Sequence, residues 1–118
     1  MLDFSSALYK ILGDRIKDRR DSLGMSQTNL SEELKDLKRA SISNIEKGRQ
    51  HPPLDTIYRL CEALRLDIHT ILPTYSEVLD YIEKNNSDNK IERFLDSLDV
   101  EDKLTFEKIK NLLNKDKK

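Results

Sequence analysis

Apolar residues recur at intervals of three and four along most of the chain and nowhere alternate over the length of a strand, so the pattern predicts helices throughout. Leu8, Ile11, Leu12 and Ile16 define a first helix over about Leu8 to Leu23, with Gly24 as its stop. Ser26 has the N-cap chemistry to open a second helix through Leu30 and Leu34. A third occupies Arg39 to Lys47 and ends at Gly48. After the proline pair of "RQHPP", the residues Leu54, Ile57, Tyr58, Leu60, Cys61 and Leu64 mark a fourth helix, and "LDIHTILP" makes a short fifth that Pro73 closes.

The pattern changes beyond Pro73. Residues 74–90 read as a helical linker, acidic over Glu77 to Asn86 and ending in the polar run "NNSDN", where a hinge is expected. Residues 91–115 read as a helical hairpin: Ile91, Phe94, Leu95 and Leu98 on one helix, then Leu104, Phe106, Ile109, Leu112 and Leu113 after the capping turn "DVED". Two isolated amphipathic helices bury too little to stand alone, so this hairpin calls for a partner surface.

Composition narrows the setting. The 118 residues suffice for one small domain and an appendage, and 36% charged residues with three Gly, three Pro and no Trp suit a charge-rich all-helical protein. A lone cysteine, Cys61, forms no internal disulfide and sits among Ile57, Leu60 and Leu64 as a small core residue, in keeping with a reducing cytoplasm. The start "MLDFSSALYKILGDRIK" lacks a basic opening followed by a long apolar run, and no stretch reaches membrane-spanning length, so neither a signal peptide nor a membrane partner is expected. No nucleophile elbow, phosphate-cradling glycine loop or metal-ligand spacing occurs, and His51 and His69 are isolated, so catalysis, cofactors and bound metal are not expected.

Charge is uneven although the net value is only -1. From Lys38 to His51 four basic residues, Lys38, Arg39, Lys47 and Arg49, face a single carboxylate, Glu46, for a local balance of +3. On a wheel of 100° per residue Ile42, Ile45 and Arg49 share one side of the third helix, while Ala40, Ser43, Asn44 and Lys47 point the other way. That second face is slim and polar, with an amide and an ammonium of the kind that pair with adenine and guanine edges in a major groove. Glu46, four residues after Ile42, sits at the edge of the inward side and needs a cation there.

The segments "SQTNLSEEL", "RASISNIEKGRQHPPLDTIYRLCEAL" and "LDIHTILP" together resemble the Cro/repressor-type (XRE) helix-turn-helix regulators over about Ile11 to Pro73. The resemblance implies an all-α protein with a five-helix DNA-binding domain over residues 8–73, followed by C-terminal helices. It further implies that Gln27 meets a phosphate, that Arg39, Ala40 and Asn44 read bases, and that Lys38, Ser41, Ser43, Lys47 and Arg49 touch phosphate or neighbouring bases. Arg20 matches the family's partner for Glu46, forming a structural ion pair that holds the third helix. One departure stands out: "LKDLKRAS" makes the turn before that helix one residue longer than the family's usual glycine-containing turn, with Lys35 and Asp36 in that place.

These expectations converge on a sequence-specific transcriptional regulator in a bacterial or phage-infected cytoplasm, a repressor binding a palindromic double-stranded DNA operator as a homodimer. The dimer seam falls on Phe94, Leu98, Phe106, Ile109 and Leu113. A helical hairpin behind such a domain is similar in layout to the biofilm-repressor type of regulator of bacilli. The alternative expectation gives those helices to a different protein, a toxin or an antagonist that controls DNA binding.

Overall fold

A computed structural model describes residues 2–97 together with Lys108 and Asn111, and side chains within the last helix as far as Asn86. Residues 2–97 form six helices and no strand: α1 Phe4–Ser22, α2 Gln27–Leu34, α3 Arg39–Glu46, α4 Leu54–Ala63, α5 Ile68–Ile71 and α6 Tyr75–Ser97. The described chain divides into two units at Ile82 and Glu83. The first therefore runs past Pro73, and Val78 of α6 is buried within it.

Local chemistry explains where each helix starts. The Asp3 carboxylate accepts from the Ser6 amide at 2.8 Å, which caps α1 one turn earlier than the apolar spacing suggests. Ser26 and Asn29 exchange side-chain and backbone hydrogen bonds at 2.9 and 3.0 Å, a reciprocal capping box for α2. Helix ends share one device. After α1 and α3 the chain turns through Gly24 and Gly48 at φ +68° and +75°, and the glycine amide and the one after it return to carbonyls of the last helical turn. The end of α4 makes the same turn with Arg65 at φ +54°, without a glycine.

Leu12 and Ile16 of α1, Leu30 and Leu34 of α2, Ile42 and Ile45 of α3, Ile57, Leu60, Cys61 and Leu64 of α4 and Ile71 of α5 form a single core. Burial pushes the Cys61 thiol above its ordinary pKa, as befits a core residue. Leu54 and Tyr58, which help to mark α4 by their spacing, are 61% and 55% exposed, because they lie on the side of the helix turned away from the core that Ile57, Leu60 and Cys61 enter. The "NNSDN" run lies inside α6. Asn, Ser and Asp each lose only tenths of a kcal/mol against better helix formers, and neither Gly nor Pro interrupts the run.

Gly13 fixes how α1 meets α3. A Cβ built there would lie 2.6 Å from the Glu46 carbonyl oxygen and 2.9 Å from its carbon, and against the Ile45 oxygen as well. Only a residue without a side chain lets the two backbones approach this closely.

Candidate nucleic-acid interface

Three buried residues anchor the inward side of α3. Ile42 and Ile45 enter the apolar cluster, and Glu46, 4% exposed, turns toward α1. Arg20 Nε donates to Glu46 Oε2 at 2.6 Å and Nη2 to Oε1 at 2.9 Å, a forked ion pair between two buried side chains. The same guanidinium holds the Met25 carbonyl at 2.8 Å, so it also ties down the entry to α2. The Glu46 hydrogen bonds hold the Arg20 guanidinium above its ordinary pKa. Gln27 completes the group, its amide donating to Glu46 Oε1 at 3.0 Å. One carboxylate thus joins α1, α2 and α3.

The opposite side of α3 has no such attachments. Lys38, Arg39, Ala40, Lys47 and Arg49 are exposed and Ser41, Ser43 and Asn44 half-buried. Among the described residues none of their side chains has a hydrogen-bond or ion-pair partner. With the Glu46 charge answered from below, the four cations of this stretch are the charges that face outward. Arg49 does not share the inward side with Ile42 and Ile45, because the positive φ of Gly48 ends the helix before it and the wheel ceases to apply. Its amide instead returns to the Asn44 carbonyl at 2.9 Å, which leaves the Asn44 side chain free.

A shallow hollow of about 120 Å³ beside this face is lined by Gln27, Ser43, Glu46 and Lys47 and, from α1, by Lys10, Asp14 and Lys17. The Lys10 ammonium pairs with Asp14 at 3.0 Å, whereas Lys17 is exposed. These α1 lysines escape a reading of the third helix alone. Next to the hollow, the Tyr9 ring stacks on His51 with centroids 3.8 Å apart and 7° between planes, which pins the loop after α3 against α1.

A helix-turn-helix family model matches residues 16–71, from the middle of α1 to the end of α5. The ImmF control region 10 kDa protein of Bacillus phage phi105 is 32% identical over 71 residues, covering 60% of this chain and 78% of the phage protein. The chain belongs to the XRE-type helix-turn-helix family. Among solved structures, the restriction-modification controller protein C.AhdI of Aeromonas hydrophila matches at 29% identity and a TM-score of 0.50, over 55% of this chain and 96% of that one. The clp gene regulator ClgR of Corynebacterium glutamicum shares the fold at 19% identity and a TM-score of 0.57, over 75% and 89% of the two chains.

α2 and α3 are the two consecutive helices of the helix-turn-helix unit. The turn between them is built by Lys35 at φ +62° and ψ -39°, with the Asp36 amide donating to the Leu34 carbonyl at 2.7 Å. That geometry is close to a γ-turn, a tight and strained one for a residue with a side chain. Arg59 of α4 grips it: Nη1 donates to Asp36 Oδ2 at 2.7 Å, and Nη2 meets both Asp36 Oδ1 and the Leu34 carbonyl, the latter at 2.9 Å. The guanidinium holds the Asp36 carboxyl below the usual carboxylate range. Nothing in sequence spacing joins residues 23 positions apart. Phe94 lies in α6 with its side chain outside the described residues, and Leu98, Phe106, Ile109 and Leu113 lie outside them altogether.

Proposed function

We propose that the chain is a sequence-specific, double-stranded DNA-binding transcriptional repressor that acts on a palindromic operator as a homodimer in a bacterial cytoplasm. The observation that carries this reading is the division of α3, whose outward polar side chains are unpartnered among the described residues while Ile42, Ile45 and Glu46 are committed inward. Unused donors on a narrow, anchored helix suit base edges in a major groove. Asn44 pairs with an adenine, Arg39 with a guanine, and the Ala40 methyl leaves room for a thymine methyl. Lys38, Ser41, Ser43, Lys47 and Arg49 supply phosphate contacts or neighbouring base contacts, and Gln27 offers the second hydrogen of its amide to a phosphate. Arg20 and Glu46 fix the helix and touch no DNA.

One such helix spans only a few base pairs, so discrimination calls for two copies on half-sites ~34 Å apart. Phe94, Leu98, Phe106, Ile109 and Leu113 form the seam in this reading. The control-region and controller names of the similar proteins support a regulator. Selection of bound duplexes from a random pool tests the proposal, and the expected product is a two-fold symmetric site. Light scattering on the full chain should give twice the 13.8 kDa protomer mass. A pool that returns no enriched sequence refutes the DNA reading, and an asymmetric single site with a monomeric protein refutes the dimer.

A further inference from the structure

The two ends of α3 are held by different means. Its C-terminal end is fixed by the buried Arg20–Glu46 pair and by the close approach of Gly13. At its N-terminal end Lys38 makes no side-chain capping bond, Arg39 and Ala40 are exposed, and Ile42 is the first residue of the helix to enter the core. Before that end come Leu37, half-buried against the core, and the turn at Lys35, and Arg59 binds the residues on both sides of the turn, Leu34 and Asp36. The helix is ~12 Å long at 1.5 Å per residue, so pivoting it by ~10° about its fixed end carries Arg39 by ~2 Å. Readout of a base edge tolerates far less than that.

Resting on the DNA-binding reading, we propose that Arg59 is a specificity-positioning residue: through Asp36 and the Leu34 carbonyl it sets the pitch of α3, and so the register of Lys38 and Arg39 over the operator, without contacting DNA. The pair is exposed on both sides, 41% and 59%, so its direct contribution to folding stability is small. Its effect lies in restraint of a backbone turn whose alternatives would all move the reading helix. Lys35 occupies a conformation that few residues with side chains adopt, and the triple grip by Arg59 adds to the backbone hydrogen bonds of the turn and to the packing of Leu37 in opposing its relaxation.

The experiment compares the full-length protein with Arg59→Gln, Asp36→Asn and the double variant. Operators are selected from random duplexes for each, and affinities for operator and unrelated DNA are measured by fluorescence anisotropy at several salt concentrations, alongside thermal melts. Each single variant should lose about 10-fold in discrimination, the worth of one base pair. The loss should be confined to the positions read by the N-terminal end of α3, with preference retained opposite Asn44 and Lys47. The salt slope should be unchanged, because no phosphate contact is removed. The double variant should be no worse than either single one, since the two residues act as one device.

An undiminished preference at every position in Arg59→Gln and Asp36→Asn overturns the proposal, as does a loss spread evenly over the site with a matching fall in melting temperature. Should Arg59→Gln fail to fold, Asp36→Asn, with a nearly isosteric exposed side chain, decides alone. If the wild type selects no operator, the DNA reading fails and this role with it. If the wild type selects one and the variants keep it intact, only the role of Arg59 fails.

Discussion

Replacing Glu46 by glutamine changes the shape of one side chain very little and removes the charge that joins three helices. The carboxylate accepts from Arg20 Nε, Arg20 Nη2 and Gln27 Nε2, at 2.6, 2.9 and 3.0 Å. A glutamine presents one oxygen in place of two, and its amide nitrogen points donors at donors. The Arg20 guanidinium, 7% exposed, then keeps its charge in a buried site with only the exposed Asp21 carboxylate, 3.2 Å from Nη1, left to answer it. Breaking a buried pair from one side costs about 3 to 5 kcal/mol. At ~4 °C or more per kcal/mol for a domain of this size, the melting temperature should fall by at least about 12 °C. Differential scanning calorimetry on the full chain measures this directly. The same deletion made from both sides, Arg20→Met with Glu46→Leu, should be milder than Glu46→Gln alone, because no charge is stranded. A Glu46→Gln protein melting within ~3 °C of wild type, or a double variant less stable than the single one, would refute the reasoning.

Further outcomes follow from other parts of the molecule. Asn44→Ala should cost about 1 to 3 kcal/mol on the preferred operator and relax preference at one base pair, whereas Lys47→Ala should weaken binding to all duplexes alike and flatten the salt dependence, both read by anisotropy titration. Gly13→Ala improves helix propensity yet pushes a methyl into the backbone of Ile45 and Glu46, so it should lower stability by about 1 to 3 kcal/mol in denaturant titration. Asp3, Asp36 and Glu77 all have pKa values lowered by hydrogen bonds, from the Ser6 amide, the Arg59 guanidinium and the Thr74 amide respectively. A lowered folded-state pKa gives stability that is complete above the ordinary carboxylate range and lost as pH falls through the folded value. Melting temperature should therefore hold between about pH 5 and 7 and decline below about pH 4, less steeply in Asp36→Asn.

Much of the domain could be read in advance because its determinants are local. Apolar spacing located five helices, Ser26 announced a cap, and Gly24 and Gly48 announced stops that the structure places at left-handed turns. The inward position of Ile42 and Ile45 followed from the same periodicity. Arg49 was misplaced by extending a helical wheel past the glycine that ends the helix. Leu54 and Tyr58 mark α4 correctly, but apolarity at helical spacing does not tell that their side of the helix is left exposed. Gly13 was visible as a glycine in mid-helix, but what its missing side chain makes room for lies 32 and 33 residues away at Ile45 and Glu46. Arg59 carried no signal at all, since the partner it grips is defined only when α4 lies beside the turn after α2.

The outward residues of α3 support nothing inside the domain. Arg39, Ala40, Ser43, Asn44 and Lys47 can therefore be exchanged as a set with no bond of the fold at stake, while Arg20, Glu46 and the two isoleucines keep the mount in place. On the proposed DNA-binding reading, recoding which sequence is recognised is thereby separated from the problem of staying folded. A division of that kind would let targets diversify quickly, and exchanging these five side chains on one face would be the way to retarget the chain.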